Sequence, residues 1–464
     1  MRSRWAALSA VVASCSFAAP AAAQSCIGDV DAGAVAQRPG KNLRFGIGPL
    51  VQAGQIGPAP SPAVPEQPER THTALARLRP PGRPFVLRLN RFFWSEGEAG
   101  FRRYLALADR FTSRGYLVEL QVRYHPSATQ EGDTAAWTRH VREVVRRFGA
   151  NPRVVALQIA NEVNLTFSAD SSDGAYEGAR EALVQGVIAA KDEALRRGMR
   201  RLEIGFNWAY RTDPANEESF WRALRDRGGR PFVRAVDWIG LDAYPGTVFP
   251  PAEATTADYR DGMVNGMSTL RCFARIPGIP ASTPMKVEEN GWPTFPGRSR
   301  EMQAAVLETM VTAVHDFRGT YNVTDYRWFN LRDGDSASPQ PFQHFGLFDS
   351  AHGEKPAFAV YRRLVDRLAR GEAAPTQRRP RLALRLRRRG GRVRARIGGL
   401  DRGLVRRVRF RVGPRRFRLD RTAPFTRIVH RPHRRRAHRH VARAAVRLRD
   451  GRLVRLRRTF RVRR

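Results

Sequence analysis

Val154-Val155-Ala156-Leu157-Gln158-Ile159-Ala160-Asn161-Glu162 decides the architecture. An apolar run of strand length ends abruptly on an amide and a carboxylate. Val155, Leu157 and Ile159 make one apolar parity, whereas Ala156, Gln158 and Ala160 make a small or polar one. Such a strand fits a closed parallel barrel, with apolar side chains toward a helix ring and polar ones lining the interior. Similar runs recur at Leu43–Gly48, Phe85–Asn90, Leu117–Tyr124, Leu202–Asn207, Val236–Tyr244, Met285–Glu289 and Asp325–Leu331. The polar parity returns as Arg44/Gly46/Gly48, Arg88/Asn90, Glu119/Gln121/Arg123 and Glu203/Gly205/Asn207. Helical patterns include Gly97–Ser113, Thr134–Phe148, Tyr176–Arg197, Ser299–Phe317 and Pro356–Leu368. Eight strand–helix units in about 350 residues predict an α/β chain built on a (β/α)8 barrel, also called a TIM barrel. An open doubly wound sheet would lack the polar parity, and no glycine-rich phosphate loop follows the first run.

Chemistry in such a barrel collects at the C-terminal strand ends. These carry Arg88 and Asn90, His125, Asn161-Glu162, Asn207-Trp208, Asp242 and Tyr244, Glu289-Asn290, and Trp328 with Asn330. Glu162 ends strand four and Glu289 ends strand seven, roughly opposite across the mouth. Glycosidic cleavage needs such a pair: one carboxyl protonates the leaving oxygen, and the other attacks the anomeric carbon or activates water. Trp94, Trp208, Trp292 and Trp328 fall at or just past strand ends, where rings suit stacking on a sugar face.

Ile159-Ala160-Asn161-Glu162 and Val287-Glu288-Glu289-Asn290-Gly291-Trp292-Pro293 resemble two motifs of the retaining (β/α)8 glycoside hydrolases known as the 4/7 superfamily. They correspond to its strand-four Asn-Glu and its strand-seven Glu. The Glu-Asn-Gly-Trp-Pro-Thr segment is similar to the nucleophile motif of the β-1,3-glucanase branch. Asp242-Ala243-Tyr244 resembles the strand-six His-x-Tyr of the cellulase and mannanase branch, with Asp in place of His. The resemblance covers about residues 40–370. It implies Glu162 as general acid and then base, Glu289 as nucleophile, and Asn161 on the sugar 2-hydroxyl. It further implies that Tyr244 orients Glu289, that Arg88 lowers its pKa, and that Trp328 lies under the −1 sugar. The strand ends add His125, Asn207, Trp208 and Trp292 as candidate substrate contacts. No metal or organic cofactor is implied. Plainer readings stand beside these: Trp328 as barrel filling, His125 as a turn residue before Pro126, and Arg88–Glu119 as an internal ion pair.

Two lines of evidence conflict at Glu288-Glu289. Strand parity turns Glu288 inward, whereas motif spacing selects Glu289. A bulge at the strand end reconciles them, leaving Glu288 outward and in need of a cation.

The chain of 464 residues carries 82 Lys+Arg against 43 Asp+Glu, a net charge of +39. Residues 378–464 hold 35 Arg, no Lys and 3 Asp, whereas the rest of the chain is close to ordinary balance. The basicity therefore belongs to a tail and does not point to specific nucleic-acid binding. After a linker at 373–377, alternating runs at Leu382–Leu386, Val393–Ile397, Val405–Val412, Phe417–Leu419, Val441–Leu448 and Leu453–Val462, with an Asp450-Gly451 turn, predict a β-sandwich. Its order resembles the Ig-like modules of bacterial surface enzymes, which implies contact with an anionic wall polymer; a solubilising sandwich is the plainer reading. The histidines at 430, 433, 438 and 440 read as surface residues of this arginine-rich segment rather than metal ligands.

Residues 1–23 predict an export signal: an N-terminal arginine pair, a short apolar run and Ala21-Ala22-Ala23. Residues 24–372 then make the barrel domain, and secretion is the expected fate. A lipobox-like Val12-Ala13-Ser14-Cys15 ranks second, with Cys15 as a lipid anchor. No stretch is long enough for a transmembrane span. Cys26 and Cys272 remain, as one disulfide or as two thiols. The function expected is secreted β-glycoside hydrolysis; the alternatives are a silent carbohydrate-binding surface protein and a polyanion binder led by the tail.

Overall fold

Eight strands close in sequence order into a parallel barrel: β1 (Arg44–Ile47), β2 (Phe85–Phe93), β3 (Leu117–Arg123), β4 (Val154–Ile159), β5 (Glu203–Ala209), β6 (Trp238–Ala243), β7 (Met285–Asn290) and β8 (Val323–Trp328). Around it run α1 (Pro68–Leu78), α2 (Gly97–Thr112), α3 (Thr134–Phe148), α4 (Ala179–Arg196), α5 (Pro214–Ala235), α6 (Tyr259–Phe273), α7 (Arg300–Tyr321) and α8 (Pro356–Leu368). This computed structural model describes residues 26–28, 30–51, 62–248, 259–371, 381–389, 392–399, 402–403, 405–412, 418–430, 439–448 and 453–461. The expected export segment, Cys15, the linker and the Asp450-Gly451 turn lie outside the described residues. Among those described, no helix is long and apolar enough to cross a membrane.

Strand parity sets the layers. Phe45, Ile47, Leu87, Leu89, Val118, Leu120, Val122, Leu157, Ile159, Ile204 and Phe206 are buried in one apolar cluster with the helices. Val155, expected there, is instead the extra residue of a bulge against β3, and Val154 takes the core position. Three helices fall outside the named helical patterns. In α5 the period is interrupted by Gly228-Gly229-Arg230-Pro231, and Gly229 adopts φ +49, kinking the element.

The opposite parity fills the barrel with charge. Arg44 pairs with Glu203 at 2.7 Å and Asp325 at 2.9 Å, and Arg327 with Asp325 at 2.8 Å and Glu119 at 3.3 Å. Lys286 reaches Glu203 at 3.0 Å and Glu119 at 3.2 Å, and its ammonium sits 4.0 Å from the Trp238 ring centroid. Arg88 tops the column, 3.4 Å from Glu288 and 3.9 Å from Glu119. Small residues make room: a Cβ at Gly46 would meet the Arg327 Cδ at 2.7 Å, and one at Gly240 the Glu288 Cγ at 3.0 Å. Deleting one member of such a buried network leaves an uncompensated charge and costs on the order of 3–5 kcal/mol.

The tail forms two antiparallel sheets. One joins β9 (Ala383–Arg389), β10 (Arg392–Gly398) and β13 (Thr426–His430). The other joins β11 (Val405–Val412), β12 (Arg418–Asp420), β14 (Arg439–Leu448) and β15 (Leu453–Arg461). Leu384, Ile397, Val408, Phe410 and Val446 pack between them, as the expected sandwich requires, while Arg385, Arg394, Arg396, Arg409, Arg443 and Arg455 face solvent. The strand Thr426–His430 was not among the predicted runs.

The N-terminal segment docks on α6. Val30 N–H donates to the Asn265 Oδ1 at 2.5 Å and Ala32 N–H to the Asp261 Oδ1 at 3.1 Å. Arg406 and Arg447 of the sandwich reach Asp261 and Asp31 at 3.1 and 3.6 Å. Cys26 and Cys272 are joined as a disulfide, which settles the alternative left open by the sequence. The bond closes a loop spanning 246 positions, so it restricts the unfolded chain more than a short-loop disulfide would. Replacing both cysteines by serine should lower stability by about 2–5 kcal/mol, read as a fall in the calorimetric midpoint. The described barrel geometry should persist; loss of the whole fold would show that the bond does more than tether.

Candidate active site

The site is built where the interior column meets the mouth of the barrel. Asn161 and Glu162 leave β4 through a backbone of unusual shape, with Ala160 at φ +60 and Glu162 at φ +44. For residues with a Cβ such angles cost on the order of 1–3 kcal/mol each and persist only when surroundings over-determine them. They are over-determined here. Ala160 N–H donates to Val122 O at 2.8 Å, Asn161 N–H to the Asp173 Oδ2 at 2.9 Å, and Glu162 N–H to the Asn207 Oδ1 at 2.9 Å. The Asn161 amide oxygen accepts from Gln121 at 2.7 Å, Asn207 at 2.8 Å and Gln158 at 3.1 Å.

Glu289 is fixed from two sides. Arg88 Nη1 donates to its Oε1 at 2.7 Å, and the Tyr244 hydroxyl donates to its Oε2 at 2.7 Å. Arg88 is itself clamped by the Asn90 Oδ1 at 2.9 Å and the Gln158 Oε1 at 2.6 Å. Burial opposes the guanidinium's charge, but Glu289, Asp242, Glu288 and Glu119 outweigh it and hold its proton more firmly.

The strand-end bulge is present. Leu241 pairs with Val287 and Asp242 with Glu289, so Glu288 is the inserted residue. The expectation that Glu288 turns outward is corrected. Both glutamates are buried on the barrel side, Glu288 below against Arg88 and Glu119, Glu289 above at the cleft. Neither Glu288 oxygen accepts a hydrogen bond among the described residues, and burial together with Glu119 pushes its carboxyl well above the usual range.

Glu162 and Asp242 complete a group with Glu289 in which one oxygen of each lies within 4.8 Å of the others. Burial first, then the charge of Glu289, pushes the Glu162 carboxyl up to about 8. Asp242 is raised well above its ordinary range by burial and by Glu289. Among the described residues this trio is the one group of His, Cys, Asp and Glu spaced to hold a cation. Its Glu289 oxygens are already taken by Arg88 and Tyr244, an arrangement suited to a held carboxylate.

The cleft above has a volume of about 180 Å³ and opens to solvent. Of the residues the sequence singled out, Asn161, Glu162, Tyr244 and Glu289 line it. Arg88 and Asn207 lie just beneath and act through neighbours: Asn207 donates to Asn161 and Asp242. His125 is off the lining, stacked on Phe93 with centroids 4.2 Å apart.

The tryptophan expectation is corrected throughout. Trp208 faces the helix layer, where its indole N–H donates to Glu217 at 2.5 Å, and Trp328 donates to Phe345 O at 3.2 Å. Trp292 lies under Arg298 and donates to the Tyr259 hydroxyl at 3.3 Å, while Trp94 packs on Tyr124 and Trp137. All four are buried outside the lining. The rings that do line the cleft are Phe167, Tyr210, Tyr244, Phe329, Phe342 and Phe345. Parity on β8 contains the signal for Phe329, because Asp325, Arg327 and Phe329 share one face and Tyr326 and Trp328 the other. Phe167, Phe342 and Phe345 come from loops without periodicity. Asp173, which holds Asn161 N–H, Tyr124 N–H and Arg123, lies in a serine-rich loop that carried no signal.

A site-resolved carboxyl titration should place Glu162 near pH 8. Glu289→Gln should move it downward, since the neighbouring negative charge is the second cause of the rise. An unchanged midpoint in that variant would show that burial acts alone.

No family model matches the chain. Over 151 residues it is 22% identical to a probable glucan endo-1,3-beta-glucosidase of Aspergillus fumigatus, a stretch covering 31% of this chain and 30% of the relative. The chain thus matches less than a third of the length of that curated relative. A GH5_18 from Streptomyces cattleya, solved in complex with Manb1-4GlcNAc, superposes with a TM-score of 0.50 at 16% identity, covering 73% of this chain and 83% of that one. A GH5_18 from Bifidobacterium longum subsp. infantis gives 0.50 at 14%, covering 73% and 81%. The barrel shares its fold with these GH5_18 structures, and part of its sequence is similar to a glucanase.

Proposed function

We propose that the barrel is a retaining β-glycoside hydrolase. One observation carries the reading: a carboxyl kept protonated to about pH 8 stands within 4.8 Å of a carboxylate held by Arg88 and Tyr244. Retaining enzymes place the two groups ~5 Å apart, whereas an intervening water demands a wider gap. Glu162 gives its proton to the glycosidic oxygen as Glu289 attacks the anomeric carbon, forming a glycosyl-enzyme ester and releasing the leaving saccharide. Glu162, now ionised, takes a proton from water, and that water opens the ester. Asn161, locked by Gln121, Gln158 and Asn207, offers its amide N–H to the sugar 2-hydroxyl, a contact that strengthens as positive charge develops. The similarity to a glucan endo-1,3-beta-glucosidase makes a β-glucan the first substrate to try.

We further propose that the protein is exported and that its arginine-rich sandwich contacts an anionic wall polymer. The signal-like N-terminus, the Cys26–Cys272 disulfide and the solvent-facing arginines support this.

Turnover on a panel of β-glucans, mannans, galactans and xylans should fall as pH rises past about 8, when Glu162 loses its proton. Glu289→Ala should lose more than ~10³-fold in turnover, with azide restoring part of it. Glu288→Ala should mainly lower the melting temperature. Proton NMR of the first product should show the substrate's own anomer. An inverted product, or a Glu289→Ala variant as active as the parent, would overturn the assignment.

A further inference from the structure

The β2–β3 wall of the cleft carries two arginines that neither the proton transfer nor the attack proposed above calls on directly. On β2, Asn90 and Arg91 together oppose the single residue Gln121, so a bulge inserts Arg91 beside the cleft. Arg91 stands at φ +66, a region a long side chain rarely occupies, and its N–H is pinned to the Gln121 Oε1 at 2.8 Å. The fold thus pays backbone strain to present this one side chain, which lines the cleft. Its guanidinium lies 4.9 Å from the Phe93 centroid and makes no ion pair or hydrogen bond to a described acceptor. Elsewhere on the barrel arginines are typically paired: Arg103 holds Glu96, Arg110 holds Glu66, and Arg147 holds Glu98 and Glu143.

Arg123, at the end of β3, shares the Phe93 ring at 5.4 Å and also lines the cleft. It is 2% exposed. Its Nε donates to the Asp173 Oδ1 at 2.6 Å, and its Nη2 is buried with no acceptor among the described residues. A buried donor on a charged group is costly to leave unmet, so a nearby acceptor is expected. Asp170 and Glu96 act on Arg91 from beyond ion-pair distance, and Glu96 is already held by Arg103. Burial and Arg123 both weigh against the Arg91 charge, which an anion between the two would relieve.

We propose that Arg91 and Arg123 form an anion subsite, and that the glycan taken by this cleft carries a carboxylate there, as a uronic acid residue does. The planar fork of arginine matches a carboxylate with two parallel hydrogen bonds, and both guanidinium groups lie near the Phe93 ring. This inference rests on the glycosidase reading for the nature of the ligand, but it is tested by binding.

In the Glu289→Gln protein, calorimetric titration with β-1,3- and β-1,4-linked glucotetraoses is compared with the same sugars oxidised to carboxylates at C6. The oxidised sugar of one linkage should bind at least ~10-fold more tightly than its neutral parent, with the preference shrinking as salt rises. Arg91→Ala should collapse that preference toward one, and Arg123→Lys, which keeps the charge beside Asp173, should reduce it in part. Equal binding of acid and neutral sugars, no binding of either, an unchanged preference in Arg91→Ala, or tighter binding of a 6-sulfated tetraose would each overturn the carboxylate assignment. Uronate binding without any wild-type turnover would leave the subsite standing and sink the hydrolase reading. Turnover without acid preference would do the reverse.

Discussion

Everything at the barrel mouth hangs on the Arg88 guanidinium. It is the top of a column of buried charge and the floor of the cleft. Its Nη1 holds Glu289, its Nη2 holds Gln158, and its Nε faces Glu288 and Glu119. A cation this deep is tolerable only because carboxyl groups surround it, and one of them, Glu289, is positioned at the cleft by its hydrogen bond to that cation. The interior that gives the barrel its polar parity and the chemistry at its rim are therefore one electrostatic object. Asp242 and Glu162 take the other role: burial first, then the charge of Glu289, pushes both carboxyls upward.

The period-2 pattern of the strands carried most of this. Arg44, Arg88, Glu119, Gln121, Arg123, Gln158, Glu203 and Asn207 all fall on the parity the sequence assigned to the interior, because a closed barrel leaves each strand only two faces. Parity and motif disagreed at Glu288-Glu289, and each was partly right. A bulge let both side chains stay on the barrel side, something neither rule contains. At β8 the error ran the other way. The motif favoured Trp328, while parity, applied as on the other strands, points to Phe329. Trp208 was likewise on the outward parity, next to the inward Asn207.

What stayed hidden belongs to loops. Phe167, Phe342, Phe345 and Asp173 sit in segments whose conformation is fixed by tertiary hydrogen bonds rather than by local propensity. Helix α5 escaped because two glycines and a proline break its period, although Phe220, Trp221, Leu224 and Phe232 bury an apolar face on either side of the kink. Arg91 shows why a strand reading misses functional residues. An insertion of one position breaks the alternation on which the reading depends.

The disulfide has a topological consequence. Because Cys26 is bonded to Cys272, the chain between them is a covalent ring that contains the first six barrel strands and most of α6. The two remaining strands, α7, α8 and the sandwich hang from that ring as a single strand of polypeptide. A protease that nicks the ring once, at any exposed bond, opens it without shedding a fragment, and the pieces part only under reduction. A nick beyond Cys272 severs the molecule outright. Against proteolysis the bond thus shields the larger part of the barrel, including the strand that delivers Glu162, while leaving the arginine-rich module detachable.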